Sequence, residues 1–141
     1  MNDTIRVVKT IFKNGDRKTY LKTVGDEDVA SFHGKVVHKV YSTFAIARDF
    51  EWTSRLFFLE MMEADEEGVG THLSIDHLGP AFVGEEVIFT ATVEEIKGMN
   101  LTCRIEATAG DRLIARGRTG QKMIDKQKLN ELFSKSKGTG T

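Results

Sequence analysis

From Glu86 to Ile124 the chain alternates apolar and polar residues with the two-residue period of half-buried strands. Val87, Phe89, Ala91 and Val93 alternate with Ile88, Thr90, Thr92 and Glu94. After the turn Lys97-Gly98-Met99-Asn100, Leu101, Cys103, Ile105 and Ala107 alternate with Thr102, Arg104, Glu106 and Thr108. Ala109-Gly110-Asp111 marks another turn, and Arg112 to Ile124 is the last long strand. On that strand Leu113, Ala115, Gly117, Thr119, Gln121 and Met123 share one face, while Arg116, Arg118 and Lys122 share the other. Upstream, residues 5 to 13 and Lys18 to Val24 read as two strands of a hairpin about Asn14-Gly15-Asp16. Gly25 to Asp28 reads as loop, Lys35 to Tyr41 as extended chain and Val69 to His77 as a strand.

Between these strands the period changes. Phe44 to Ala64 runs without Gly or Pro, with Ser42 or Thr43 as a candidate cap and Asp65-Glu66-Glu67-Gly68 as its end. Its apolar residues cover most of the circumference, the pattern of a helix that other structure surrounds. Asp125 to Ser134 reads as a short amphipathic helix anchored by Leu129, Leu132 and Phe133. Residues 136 to 141 read as a frayed tail. The predicted class is α+β: one domain over residues 1–135, an antiparallel sheet curled around one long helix.

Composition narrows the function classes. The chain of 141 residues is 40% hydrophobic and 29% charged, globular values, with a net charge of −1 and no basic footprint for nucleic acid. The start Met-Asn-Asp-Thr-Ile-Arg has no signal-peptide pattern, and Phe44 to Met62 carries five charges, which argues against a membrane span. A single cysteine, Cys103, excludes an internal disulfide and a cysteine-based zinc site. These readings describe a cytoplasmic domain.

Three polar residues stand out against this background. Glu51 has Ala47, Ser54 and Phe58 as helical neighbours, a setting that makes a carboxylate costly unless it is paired or solvated in a cavity. The competing reading is a surface ion pair with Arg55 at i+4 or Arg48 at i−3. Thr43 lies eight residues earlier, roughly 80° around the helix, so the two side chains could line one wall of a pocket. On pattern alone, capping is the favoured role for Thr43. His77 closes a strand before Gly79-Pro80, where its side chain points into a cleft, is a partly buried hydrogen-bonded histidine, or stands exposed in a loop. His33, His38, His72 and His77 give no metal-ligand spacing, and no metal site is expected. Gly68 and Gly70 frame a tight entry to the strand; Gly70 serves either backbone geometry alone or a backbone N–H offered to a substrate carbonyl.

The run from Val40 to Ile124 resembles the hotdog-fold thioesterases, most closely the fluoroacetyl-CoA thioesterase-like branch. The resemblance rests on Tyr41-Ser42-Thr43, Phe50-Glu51-Trp52, Gly70-Thr71 and Asp76-His77-Leu78-Gly79-Pro80. It continues in Val83-Gly84-Glu85-Glu86-Val87 and in Ala115 to Gln121. It implies a sheet wrapped around the central helix and a homodimer, or a higher homo-oligomer, with active sites at the subunit interface. The implied reaction is hydrolysis of a small acyl-CoA thioester, with coenzyme A as part of the substrate and no other cofactor. Thr43, Glu51 and His77 would be the catalytic set, and the Gly70 backbone would hold the thioester carbonyl. Gln121 stands where the fluoroacetyl-specific enzyme has an arginine that helps recognise substrate. The aromatic-bearing lid falls on Gly34-Lys35-Val36-Val37, which has no aromatic. Both departures point away from fluoroacetyl-CoA. A hotdog hydratase would need an Asp/His pair that Asp76-His77, adjacent on a strand, does not readily supply. The alternative from another class is a non-catalytic acyl-CoA-binding or regulatory hotdog protein.

Overall fold

Because the apolar face of each long strand needs cover, the strands close into one antiparallel sheet with a helix across it. The computed structural model describes residues 11–138. Its strands are Arg17–Thr23 (β1), Val29–Phe32 (β2), Lys35–Tyr41 (β3), Glu66–His77 (β4), Glu86–Lys97 (β5), Asn100–Ala109 (β6) and Arg112–Asp125 (β7). Helix α1, Thr43–Met61, lies between β3 and β4, and helix α2, Lys126–Gly138, ends the described chain. The main sheet has the order β1-β5-β6-β7-β4, so β1 and β4 are its edges, and β2 and β3 form a separate hairpin.

The core forms where α1 crosses the sheet. Ile46, Phe50, Phe57, Phe58 and Met61 of the helix are buried with Phe89, Ala91, Leu101, Cys103, Ile105, Ile114 and Met123 of β5, β6 and β7. Phe50 and Tyr41 each meet Phe89 edge-on, with ring centroids 5.9 and 6.2 Å apart. Close contact with β4 requires a glycine: a Cβ at Gly68 would stand 2.5 Å from Phe58 Cδ2. The inward set Val87/Phe89/Ala91/Val93 and Leu101/Cys103/Ile105/Ala107 is the one the alternation gives. On β7 a register shift at Ala107/Thr108 moves the buried position from Leu113 to Ile114.

Several sequence expectations are corrected. The helix starts at Thr43 and stops at Met61, three residues before Ala64. It is not surrounded: one stripe is buried, while Phe44, Trp52 and Leu59 stand exposed on the other side, Phe44 by 85%. Strand β4 begins at Glu66 inside the expected loop, so Gly68 and Gly70 lie within the strand and do not frame its entry. Gly25 to Asp28 contains a 3-10 turn, Asp26–Asp28, followed by the unanticipated β2. Residues 136–138 belong to α2, and the rest of the expected tail, 139–141, lies outside the described residues. The expected strand over residues 5–13 lies mostly outside the described residues; Ile11 to Lys13 are not in a strand, and β1 pairs with β5. Among the described residues no helix is long and apolar enough to cross a membrane.

Candidate active site

The start of α1 brings Thr43 to the end of β4. Ser42, with extended backbone, caps the helix by accepting the Ala45 N–H at 3.0 Å. That leaves the Thr43 hydroxyl free, and Thr43 Oγ1 lies 2.7 Å from His77 Nδ1. The hydroxyl donates in this contact when Nδ1 carries no proton. The favoured sequence role for Thr43, capping, therefore belongs to its neighbour. His77 is the last residue of β4, held opposite Ala115 of β7, and the following Leu78 and Gly79 N–H groups both donate to the Ile114 carbonyl.

Glu51 occupies a different place. It lies about 12 Å further along the helix axis, against Gly70 of β4, where a Cβ would stand 2.8 Å from Glu51 Oε1. Only glycine lets the carboxylate approach this strand so closely. Neither arginine neighbour pairs with it. Arg48 bonds Asp28 and Asp49, and Arg55 donates to Glu67 at 2.8 Å and to the Gly68 carbonyl at 3.2 Å. Glu51, Gly70, Arg48, Trp52, Arg55 and Gln121 line a cleft of about 210 Å³. Gln121 is buried, its Nε2 donating to Ser54 Oγ at 2.6 Å and to the Glu51 carbonyl at 3.4 Å. Its Oε1 is buried with no partner among the described residues.

The three residues thus form two half-sites within one chain. Thr43 and His77 meet at one end; Glu51, Gly70 and Gln121 meet at the other. Six strand residues separate Gly70 from His77, roughly 20 Å of β4. Thr43 does not share the Glu51 cleft, contrary to the one-wall expectation.

Sequence reasoning missed the polar cluster behind the first half-site. Asp28 and Asp49 are 0% and 3% exposed. Arg48 Nη2 donates to both, at 2.9 and 3.0 Å, and its Nε donates to Asp49 Oδ1 at 3.2 Å. Lys22 Nζ lies 3.1 Å from Asp28, whose other partner is the Gly25 N–H at 2.8 Å, and the Tyr41 hydroxyl donates to Asp49. Burial pushes the Asp28 carboxyl up, but the bonds from Arg48, Gly25 and Lys22 outweigh it and hold it below its ordinary range. Burial, then the bond to Asp49, pushes the Tyr41 phenol far above its ordinary value. The Asp28 carbonyl also accepts the Ser42 N–H at 2.9 Å, tying the cluster to the residue before Thr43. A carboxylate on the buried stripe of α1, at Asp49, was the available signal, since such a group demands partners. Cys103 is buried, which drives its thiol up to about 12, so it supplies no nucleophile. No cluster of metal-ligating side chains occurs among the described residues.

A long helix packed on an antiparallel sheet is the architecture of the hotdog thioesterases. Within it, the chain belongs to the fluoroacetyl-CoA-specific thioesterase family, whose model, FlK, matches residues 24–127. Acyl-CoA thioester hydrolysis is the activity that membership carries. A Thermus thermophilus protein described as a thioesterase superfamily member is 30% identical, with 92% of this chain and 96% of that one covered at a TM-score of 0.86. A variant of the fluoroacetyl-CoA-specific thioesterase FlK is 22% identical over 91% of this chain and 99% of that one, TM-score 0.83. A Synechocystis 1,4-dihydroxy-2-naphthoyl-CoA thioesterase is 19% identical over 78% and 83%, TM-score 0.63. The last two are likenesses of fold. No protein of curated function matches the sequence.

Proposed function

We propose that this chain hydrolyses small acyl-CoA thioesters as a homodimer whose active sites each draw on both protomers. Thr43 and His77 come from one chain, and Glu51, Gly70 and Gln121 from the partner subunit. The observation that carries this reading is the 2.7 Å contact between Thr43 Oγ1 and His77 Nδ1, a pair that bonds no carboxylate among the described residues.

Strand β4 supplies the means of joining the halves. It is an edge strand whose residues from Gly70 to Ser74 are all exposed. An edge of this length and exposure invites pairing with another strand. Antiparallel pairing of two β4 strands about Leu73 and Ser74 sets position 70 of one chain opposite position 77 of the other. The symmetry is that of a two-fold, self-complementary interface.

In the assembled site the thioester carbonyl lies at the Gly70 backbone. The Glu51 carboxylate activates water or attacks the carbonyl carbon directly. His77 moves the proton to the departing thiolate, and Thr43 polarises the reacting group or serves as nucleophile. The cleft beside Glu51 is about 210 Å³ in the single chain, and its depth in the assembled dimer limits the acyl group. The compartment this reading assigns is the cytoplasm, where coenzyme A thioesters are used.

The test is release of free thiol across short, branched and aromatic acyl-CoAs, with sedimentation to define the assembly. Glu51→Gln and His77→Ala should each abolish turnover in a folded dimer. Wild-type turnover in both variants would remove the triad from the mechanism, and tight binding without hydrolysis would favour a binding protein.

A further inference from the structure

Resting on the thioesterase reading, we propose that the acyl group carries a terminal carboxylate, received by the remaining Nη1 donors of the Arg48 guanidinium. Arg48 lies one helical turn before Glu51 and lines the same cleft. Its side chain is 49% exposed, yet it is held in place by two buried carboxylates. Asp49 takes Nε and Nη2 side-on, and Asp28 takes the remaining Nη2 hydrogen. Nη1, with two N–H groups, has no partner among the described residues.

The two carboxylates do not depend on Arg48 alone. Lys22 and the Gly25 N–H hold Asp28, and the Tyr41 hydroxyl holds Asp49. Lys22, Arg48, Asp28 and Asp49 together sum to zero charge, so the cluster is closed except for the Nη1 donors. A long flexible side chain that would ordinarily lose rotamer freedom on binding is already fixed here. Two N–H groups on one immobilised, charged guanidinium nitrogen are suited to donate to carboxylate oxygens.

The other cleft residues do not offer this. Arg55 spends its guanidinium on Glu67 and the Gly68 carbonyl, and the Gln121 amide N–H groups face Ser54 and the Glu51 carbonyl. The ligand anion is identified by reach. With the thioester at Glu51 and Gly70, the coenzyme A phosphates stand two amide-linked units away along the pantetheine arm. Arg48 shares the small cleft with Glu51 itself, so the group it meets is the far end of the acyl chain. Glu51 repels that carboxylate and so favours the side of the cleft where Arg48 stands.

The experiment compares succinyl-CoA with butyryl-CoA, matched in length, by kcat/KM on the wild-type protein. It also compares the non-hydrolysable carboxypropyl and butyl thioethers of coenzyme A by calorimetry. At least a tenfold preference for the carboxylated member of each pair is expected, weakening as salt is raised. Arg48→Met made together with Asp49→Asn removes one positive and one negative charge, leaves Asp28 paired with Lys22, and should reduce both preferences to threefold or less. Turnover of butyryl-CoA with no wild-type preference overturns the carboxylate site and leaves the thioesterase standing. A thioether preference that needs Arg48, with no turnover of either acyl-CoA, supports the site and overturns the thioesterase reading. A preference that survives the double variant overturns the role of Arg48.

Discussion

The Glu51 carboxylate rests on the backbone of Gly70, with Oε1 only 2.8 Å from where a Cβ would be. Gly70→Ala should therefore push Glu51 off its position without disturbing the core, because the obstructed atom is the end of a flexible side chain. A displacement of this size in a reacting group is expected to lower kcat by about ten- to a hundredfold, with stability changed by about 1 kcal/mol or less. Steady-state kinetics beside urea unfolding separates the two effects. Unchanged kcat would show that the Glu51–Gly70 approach is not part of the site.

Ser42 and Thr43 divide two tasks that neighbouring hydroxyls could exchange in principle. Ser42→Ala removes the cap and should cost about 1 kcal/mol of stability, read from denaturant midpoints. Thr43→Ala leaves the cap intact and removes the partner of His77. It should lower turnover by roughly a hundredfold or more with a nearly unaltered midpoint. Equal losses of stability in the two variants would place Thr43 in the capping role after all.

How far the chain could be read depended on how local each constraint is. Strands β5 and β6 were legible because each has one face on α1 and one in water, so burial prints a two-residue alternation. The start of β4 was hidden because Glu66 and Glu67 read as a charged turn. In the fold Glu66 is buried and accepts the Glu63 N–H, while Glu67 meets Arg55. The helix was misread as surrounded because Phe44, Trp52 and Leu59 are apolar yet lie outside this chain's core. Thr43, Glu51 and His77 were marked by spacing, but their separation into halves follows from the length of β4, which no local pattern records. The Arg48–Asp28 bond joins residues twenty apart in sequence, beyond the reach of any helical or strand period.

Asp28 should make stability depend on acid. Its carboxyl titrates below the ordinary 3.8 in the folded chain, because the bonds from Arg48, Gly25 and Lys22 more than offset burial. A depressed folded value means the contribution is fully present above the unfolded value near 3.8, and is lost as pH falls through the folded one. Asp28→Asn should destabilise the protein by about 2–4 kcal/mol at neutral pH, since it leaves Arg48 and Lys22 facing a neutral group. The gap from wild type should narrow as pH falls into that acid window. Thermal melts of both proteins from neutral pH down to pH about 2 measure the gap; a constant difference would contradict the ionised state of Asp28.

The separation of His77 from Glu51 yields a test that needs no structure of the assembly. If each site takes Thr43 and His77 from one chain and Glu51 from the partner subunit, Glu51→Gln and His77→Ala inactivate opposite halves. Each variant alone carries the lesion in both of its sites. When the two are unfolded together and refolded, random pairing makes half the dimers mixed, and a mixed dimer contains one site with both lesions and one with neither. Activity should return to about a quarter of the wild-type value, although neither parent has any. Native mass spectrometry counts the mixed dimers, so the recovered rate can be divided by their number. Mixed dimers without recovered thiol release would mean that the trio acts within one chain, and would require α1 or β4 to rearrange by many ångströms during the reaction.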